Sequence, residues 1–212
     1  MATKRQRRAA TLDHNAELWA HIEPETSRLL LLSALDAFLA RGFHAATTRE
    51  IAERAGMSPA AVYVHFASKE ELLNELSLVG HRAALDIVVA AAARGSAAPT
   101  AQLQAVVSDF ASWHARHRRT ARVVQYELGA LTAPHRAVID GLRREIQARM
   151  RELLEAGVRA GDFVVPDVPG TALALLSLAV DVARWYRPEG PRSPEDIGAL
   201  YADLALRMVT AR

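Results

Sequence analysis

The chain has 212 residues, half of them hydrophobic, and a formal net charge of only +2. This length and composition predict a globular protein with room for a helical body and a small additional domain, and they exclude a uniformly basic DNA-binding protein. The absence of cysteine excludes disulfides, thiolate zinc sites and a cysteine nucleophile. Because the net charge is only +2, any surface that binds nucleic acid must be local.

Residues 1–25 are predicted to form a basic arm followed by a short extra helix. Four cations fall within the first eight residues: Lys4, Arg5, Arg7 and Arg8. Such an arm is either a solvated tail or a segment that follows DNA phosphates or enters the minor groove. A short helix is predicted after the arm by apolar residues at helical spacing, which are Leu12, Ala16, Trp19 and Ile22.

A helix is predicted next, from about residue 26 to Arg41, where Gly42 ends it. Thr47 and Glu50 then have the spacing of a capping box, which predicts the start of another helix. Gly56 supplies the left-handed residue that ends this second helix after about two turns.

A third helix is predicted directly afterwards, because Ser58 is a favoured N-cap residue and Pro59 is favoured at the first helical position. Two helices joined by a tight glycine-containing turn form a helix-turn-helix unit, whose second helix can enter the major groove of DNA. Arg49 is the best candidate in this unit for reading a base, since a guanidinium can pair with guanine O6 and N7.

The rest of the chain is predicted to be helical, with apolar residues at helical spacing and breaks at glycine and proline clusters. A capping box at Ser68 and Glu71 begins the first of these helices, which should run to about residue 93. The remaining segments span about residues 100–117, 123–131, 134–157, 168–187 and 193–208. This pattern predicts an all-α fold.

Residues 28–76 resemble, without a gap, the N-terminal signature of the TetR family of transcriptional regulators. The residues that carry the resemblance are Phe38, Gly42, Thr48, Ile51, Ala52, Ala55, Gly56, Ser58, Tyr63, His65, Phe66, Ser68, Lys69 and Leu72. It implies an N-terminal three-helix helix-turn-helix head at residues 26–70 and a larger helical body at 71–212 for ligand binding and dimerisation. It also implies a homodimer that binds a palindromic operator, and it favours repression over activation.

The same resemblance implies which residues contact double-stranded DNA: Thr48, Ser58, Ala60, Ala61, Tyr63, His65 and Lys69. Thr48 can donate its hydroxyl or a helix-start N–H to a phosphate, and Lys69 adds a charge. The two alanines can read only a thymine methyl group or the shape of the groove. Tyr63 has a second interpretation, as a residue that partly serves the small core, and His65 has one as a bystander without a DNA contact.

The C-terminal part resembles a branch of the TetR family whose members often respond to acyl-coenzyme A thioesters or lipid-like metabolites. The matching motifs are Trp113-His114, Tyr126-Glu127-Leu128, Arg143, Gly157, Gly161-Asp162-Phe163 and residues 181–186. The candidates for binding a small-molecule effector are polar-tipped side chains on apolar faces: Trp113, His117, Tyr126, Asp181 and Trp185. Each aromatic or imidazole ring has the alternative of an ordinary core position, and Asp181 has the alternative of an ion pair with Arg184.

The last two predicted helices carry more apolar surface than one body needs to bury, which predicts a four-helix dimer interface. The residues concerned are Leu173, Leu176, Ala179, Val180, Ile197, Leu200, Leu204 and Met208. No nucleophile motif or phosphate loop is present in the sequence, so we predict neither enzyme activity nor a cofactor or metal. Two other classes stay open at this point: an architectural DNA-binding dimer that takes no ligand, and a helical enzyme.

The sequence predicts no secretion signal and no membrane segment. The N-terminus lacks an apolar signal core, and the longest apolar run, residues 172–183, is too short to span a bilayer and contains Asp181. We therefore expect a cytoplasmic protein without a membrane partner.

Overall fold

A computed structural model describes residues 16–94 and 98–210 of the chain. Within these ranges the protein consists of α-helices and one 3₁₀ turn at Leu128–Ala130, without a strand, which confirms the predicted all-α fold. The described helices, numbered in chain order, are α1 (Ala16–Trp19), α2 (Glu25–Ala45), α3 (Thr48–Ala55), α4 (Pro59–His65), α5 (Lys69–Arg94), α6 (Pro99–Arg116), α7 (Arg118–Tyr126), α8 (Ala133–Ala160), α9 (Val168–Trp185) and α10 (Pro194–Val209).

The chain divides into two compact units. The first unit comprises Met1–Gly80 and Arg122–Arg136, and the second comprises His81–Ala121 and Ala137–Arg212. The first unit thus takes in a segment beyond residue 70, where the sequence places the end of the DNA-binding domain. The functional division at residues 25 and 70 stays a prediction.

The short helix expected before the helix-turn-helix is present as α1, and Trp19 at its end is almost fully buried. Leu12, the first apolar position of that predicted helix, lies outside the described residues. So do the cations of the predicted basic arm: Lys4, Arg5, Arg7 and Arg8. Their DNA contacts remain predictions.

Helix α2 is interrupted at Gly42, as the sequence predicts. Gly42 has φ 75° and ψ 163°, a conformation that glycine adopts without the steric cost that a Cβ would add. The chain then makes one more turn, in which Phe43 is buried with its ring centroid 5.4 Å from that of Phe38. The break therefore contributes an aromatic pair to the core of the first unit.

Helices α3 and α4 begin at the predicted caps. Thr47 accepts a hydrogen bond from the N–H of Glu50 at 3.1 Å, and Ser58 accepts one from the N–H of Ala61 at 3.3 Å. Gly56 ends α3 with φ 71° and ψ 32°, the left-handed cap expected there. The predicted helix-turn-helix is therefore confirmed at the level of its individual caps.

Two of the predicted capping boxes are only half formed. In α3 the carboxylate of Glu50 accepts from Arg54 at 2.9 Å and not from the N-cap backbone, because a charge-assisted bond is stronger than one to a neutral N–H. At the start of α5, Ser68 accepts from the N–H of Glu71 at 3.0 Å, whereas the Glu71 carboxylate accepts from the N–H of Ala67. The predicted helix starts are confirmed. The bonds expected from the N-cap backbone to the carboxylates of Glu50 and Glu71 are not formed.

Helix α6 is central to the second unit, where it packs against α9 and α10. Gly198 in α10 allows a close approach, since a Cβ there would lie 2.2 Å from Ser112 Oγ and 2.6 Å from the Ser108 carbonyl oxygen. Gly157 in α8 is covered in the same way, because its Cβ would lie 1.9 Å from the ring of Phe163. Small residues thus set the spacing between elements.

The predicted dimer face on α9 and α10 is only partly exposed. Leu176, Ala179 and Ile197 are buried within the protomer, which corrects their assignment to the interface. Both helices pack against α6 within the same protomer. The large apolar side chains of α9 and α10 that stay substantially exposed include Leu173, Leu178, Leu204 and Met208.

Two of the described helices, α5 and α9, are long and apolar enough to cross a membrane by length and composition alone. The expectation from the sequence considered only the shorter run at residues 172–183. Of the apolar stretch in each helix, 44% is buried inside the protein in α5 and 33% in α9. The core helices of soluble proteins pass the same test, so these two helices are weak evidence for a membrane segment.

Candidate DNA interface and ligand site

Helix α4 presents one face to solvent. Ala60, Tyr63 and Val64 have the i, i+3, i+4 spacing of a single helix face, and all three are exposed, Tyr63 by 56% and Val64 by 80%. The other side of the helix is buried through Val62, with Phe66 directly after it. Because the core takes one side, the exposed side is free to lie in a groove of DNA.

The sequence-based set of DNA contacts omits Val64. By residue type a valine suggests a core position, and only its spacing from Ala60 places it on the exposed face. The i, i+4 spacing from Ala60 is the feature of the sequence from which the exposure of Val64 could be predicted. An exposed valine side chain can make apolar contact with a thymine methyl group, in the way described for alanine and threonine.

The structure brings Thr48 and Tyr63 together. Their hydroxyl oxygens are 3.2 Å apart and hydrogen-bonded, with either group able to donate. Thr48 begins α3 and Tyr63 lies on α4, so the bond joins the two helices on their solvent side. The hydroxyl that accepts this bond keeps its own O–H free to donate, so one member of the pair can bind a phosphate oxygen.

His65, by contrast, is bound to the interior side of the unit. Its Nδ1 lies 3.1 Å from Ser27 Oγ, and the ring is half-buried. This bond joins the end of α4 to the beginning of α2. The geometry favours the interpretation in which His65 makes no DNA contact, and it gives the ring a structural bond instead. The DNA contact of His65 stays a prediction.

Lys69 is held by backbone carbonyls. Its Nζ donates to the carbonyl oxygens of Phe43 at 2.6 Å, Ala46 at 2.8 Å and His44 at 3.3 Å. It also lies 4.4 Å from the centroid of the Phe43 ring, a cation–π distance. Burial lowers the Lys69 pKa, and the charge of Glu127 partly opposes this. An ammonium has three N–H donors, so a direct phosphate contact requires Lys69 to leave this arrangement.

The remaining predicted DNA contacts differ in what they can offer. Arg49 is exposed on α3 and has no ion pair among the residues that the structure describes, unlike Arg54. The oxygen of Ser58 is occupied as an acceptor by its cap bond, which leaves its O–H to donate. Ala60 is exposed, whereas Ala61 is half-buried and presents less surface.

In the second unit, Trp113 and His117 lie together with His114. The Trp113 ring centroid is 4.9 Å from that of each histidine. His114 Nδ1 lies 2.8 Å from the Phe110 carbonyl oxygen and must donate to it, so its Nε2 is an acceptor in the neutral ring. His117 Nδ1 is buried and has no hydrogen-bond partner within the described residues. The cluster therefore carries unused polar capacity.

Both of these histidines are neutral at pH 7. Burial lowers the pKa of His114 to about 4, with the neighbouring His81 and His117 acting in the same direction and the bond to Phe110 opposing them. Burial also lowers the pKa of His117 to about 4, assisted by the charge of Arg116. At neutral pH the cluster offers hydrogen bonds but no charge.

The other three predicted ligand residues have separate surroundings. Tyr126 belongs to the first unit and is 60% exposed. Asp181 accepts two bonds from Arg184, at 2.7 and 2.8 Å, and this contact holds the pKa of the carboxyl below its usual range. The alternative ion pair is therefore present. Trp185 is 38% exposed.

A cavity of about 410 Å³ lies in the second unit between α5, α6 and α8. Its apolar wall consists of Val88, Val89, Ala92, Val106, Leu153 and Ala156. Gln102, Arg149 and Glu152 supply its polar groups, and none of the five predicted ligand residues lines it. This cavity was not predicted from the sequence, because its walls come from three helices far apart in the chain.

Two family profiles match the chain. The one described as "Bacterial regulatory proteins, tetR family" matches residues 30–76. The one described as "Tetracyclin repressor-like, C-terminal domain" matches residues 96–209. The second match alone covers more than half of the 212 residues, so the likeness extends well beyond the helix-turn-helix.

Individual proteins agree with the profiles. The HTH-type transcriptional repressor KstR2 of Mycobacterium tuberculosis is 31% identical over 188 residues, covering 85% of this chain and 91% of the relative. A solved regulatory protein of the tetR family from Rhodococcus RHA1 is 40% identical with a TM-score of 0.83, covering 89% and 99% of the two chains. AibR, solved with isovaleryl coenzyme A and operator DNA, shares the fold at 23% identity and a TM-score of 0.75, covering 87% and 98%.

Proposed function

Because this chain belongs to the TetR family of bacterial transcriptional regulators, we propose that it is a homodimeric repressor that binds a palindromic operator and is released by a small-molecule ligand. Members of the family are DNA-binding regulators, not enzymes, which removes the helical enzyme from consideration. The relatives named KstR2 are repressors, and this supports repression over activation. The proposal places the protein in the cytoplasm with its operator.

The exposed face of α4 is the observation that carries the proposal. Its side chains would enter the major groove, with one hydroxyl of the Thr48–Tyr63 pair donating to a phosphate and Val64 against a base edge. Arg49 is the candidate for reading a guanine. Residues 26–70 would be the DNA-binding domain and 71–212 the domain for ligand binding and dimerisation.

The exposed apolar side chains of α9 and α10 support the homodimer. Leu173, Leu204 and Met208 are exposed by 53%, 43% and 46%, and a second copy of the same two helices would cover them in a four-helix interface. A two-fold dimer would present two copies of α4, which is why the operator is expected to be a palindrome with half-sites roughly 34–36 Å apart.

The ligand is proposed to be hydrophobic, either a lipid-like metabolite or an acyl-coenzyme A. The apolar side chains that line the cavity of the second unit support a hydrophobic ligand. The acyl-coenzyme A alternative is supported by AibR, which has the same fold and was solved with isovaleryl coenzyme A. Release requires that the ligand bind more tightly to a state whose heads do not match the operator.

Selection of duplexes from a random pool tests the proposal. The full chain should enrich one palindrome, and its affinity for that palindrome should exceed its affinity for random duplex by at least about a thousandfold. Similar affinity for many unrelated sequences would indicate an architectural DNA-binding protein and would overturn the repressor. Steep salt dependence is expected in both cases and does not separate them.

The dimer and the ligand have their own measurements. Leu204→Glu should convert the dimer to a monomer in analytical ultracentrifugation and abolish operator binding, since charges at the core of an interface are unfavourable. A dimer that persists in this variant contradicts the proposed interface. Operator affinity that is equal with and without bound ligand refutes the induction part alone.

A further inference from the structure

The cavity between α5, α6 and α8 has the properties of a small-molecule site. Its volume of about 410 Å³ lies within the roughly 300–1,000 Å³ range of ligand pockets. Most of its wall is aliphatic, so burial of an apolar ligand there is favourable. It is partly open to solvent, and α8 contributes the polar side chains Arg149 and Glu152 to its lining.

Two charged side chains, Arg149 and Glu152, line the cavity, and Glu145, which does not line it, also pairs with Arg149. Arg149 lies 3.3 Å from a carboxylate oxygen of Glu152 and 3.5 Å from one of Glu145. One guanidinium is thus shared by two carboxylates, and the group as a whole carries one net negative charge. An anionic ligand would have to displace Arg149 from both partners or lie against an excess of negative charge.

Gln102 is the uncharged polar residue of the lining. Its amide has two N–H donors and a carbonyl acceptor, so it can bind a hydroxyl, a carbonyl or an amine of a ligand. A mostly apolar wall, with Gln102 as its neutral hydrogen-bonding group and Arg149 already paired with carboxylates, favours molecules that carry little polarity.

We propose that this cavity binds an uncharged, largely apolar small molecule that hydrogen-bonds to Gln102, and that Glu145 and Glu152 discriminate against anions. The inference rests on the proposed function in one respect, that this molecule is the effector. It narrows the ligand class given above: an acyl-coenzyme A carries several phosphate charges and would have to place them outside this cavity.

A pair of fluorescent probes tests the charge selectivity on the free, full-length protein. N-phenyl-1-naphthylamine and 1-anilinonaphthalene-8-sulfonate share one aromatic scaffold and differ in the sulfonate. We expect the neutral probe to bind about tenfold more tightly. Equal or tighter binding of the sulfonate overturns the proposal.

Variants that fill the cavity locate the probe. Ala156→Phe on α8 and Ala92→Leu on α5 each reduce the space from a different wall, and each should weaken the neutral probe at least tenfold. Ala160→Phe is the matched control, since residue 160 is exposed on the same helix and does not line the cavity. Far-ultraviolet circular dichroism confirms that the variants fold. Unchanged binding in both filled variants shows that the probe lies elsewhere.

Variants of the carboxylates test their role. Glu145→Gln and Glu152→Gln should each tighten the sulfonate about threefold and leave the neutral probe unchanged. Glu155→Gln, which removes the same charge from an ion pair with Arg159 on the same helix, should alter neither probe. A sulfonate affinity that rises as much in Glu155→Gln contradicts specific discrimination by Glu145 and Glu152.

The effector role is measured separately, so the two proposals can fail independently. Saturating neutral probe should lower operator affinity in the parent chain and should not do so in Ala156→Phe. Probe binding as expected with unchanged operator affinity supports the cavity site and rejects its regulatory role. Intact operator binding with no probe binding leaves the DNA-binding function standing and overturns the cavity site.

Discussion

Both units of the molecule have an apolar core, and they differ in the contacts that fix the ends and the spacing of their helices. In the first unit, α3 and α4 have eight and seven residues, too few to be stable alone, and single polar bonds support them: the caps, the Thr48–Tyr63 bond and the Lys69 bonds to carbonyls. In the second unit, α6, α9 and α10 have 18, 18 and 16 residues. Close packing through glycine, together with buried neutral imidazoles, characterises that unit.

This difference determines how each unit can be damaged. A polar bond is lost when one substitution removes its donor, and the local geometry then loosens without any change in core volume. Close packing fails when an atom or a charge is added to a space that cannot accept it. The second unit should therefore be sensitive to protonation and to added methyl groups, and the first to the removal of single side-chain donors.

Acidification should have the largest effect, and it should act on the second unit. The pKa values of His114 and His117 are about 4 in the folded protein, so between pH 4 and roughly 6.5 the unfolded chain binds more protons. Their stabilisation is fully present above about pH 7 and is lost as pH falls toward 4. At pH 5 the loss is on the order of 2 kcal/mol for each histidine.

Urea unfolding at pH 7 and pH 5 measures this loss. His114→Gln, whose amide can still donate to the Phe110 carbonyl, should retain only about half of the pH dependence. His21→Gln, at an exposed histidine of the first unit, is the matched control and should retain all of it. Equal pH dependence in the two variants would falsify the assignment to the buried cluster.

Gly198→Ala should come next in magnitude. Its methyl group would meet Ser112 Oγ and the Ser108 carbonyl, and since backbone cannot move aside, we expect a loss of about 2–3 kcal/mol in the free energy of unfolding. Gly141→Ala is the control within α8, where the nearest atom, on Arg144, is 3.9 Å away. That variant should gain about 0.5–1 kcal/mol from helix propensity. Equal effects in the two variants contradict close packing.

Lys69→Met tests the sensitivity of the first unit to the loss of a side-chain donor. The loss of bonds to three carbonyls should cost about 1–3 kcal/mol of stability, and affinity for operator and random duplex should fall in parallel. Because the ammonium is engaged by the backbone, the slope of log affinity against log salt should not change. A slope that decreases by about 0.9 would show a direct phosphate contact.

Arg49→Ala should instead leave the free energy of unfolding unchanged and relax discrimination at one base pair of the operator.

The same contrast explains which features could be predicted from the sequence. The caps of α3 and α4 are local, so Thr47, Gly56 and Ser58 specify them within a few residues. The bonds of Lys69 and of His65 reach carbonyl and hydroxyl partners more than twenty residues away, and no local pattern announces them. The cavity has the same origin, since Val88, Gln102 and Leu153 meet only after three helices have packed.

Val64→Ala should have the smallest effect and separates recognition from stability most cleanly. Since Val64 is 80% exposed, its truncation should leave the free energy of unfolding unchanged, while lost apolar contact with a thymine methyl should cost about 1 kcal/mol, roughly fivefold in operator affinity. Val62→Ala is the same substitution on the buried side of α4. It should lower stability by about 2 kcal/mol through the cavity it leaves. If both variants lose stability and operator affinity in proportion, then α4 has no distinct recognition face, and the exposed side of this helix only reports how well the unit is folded.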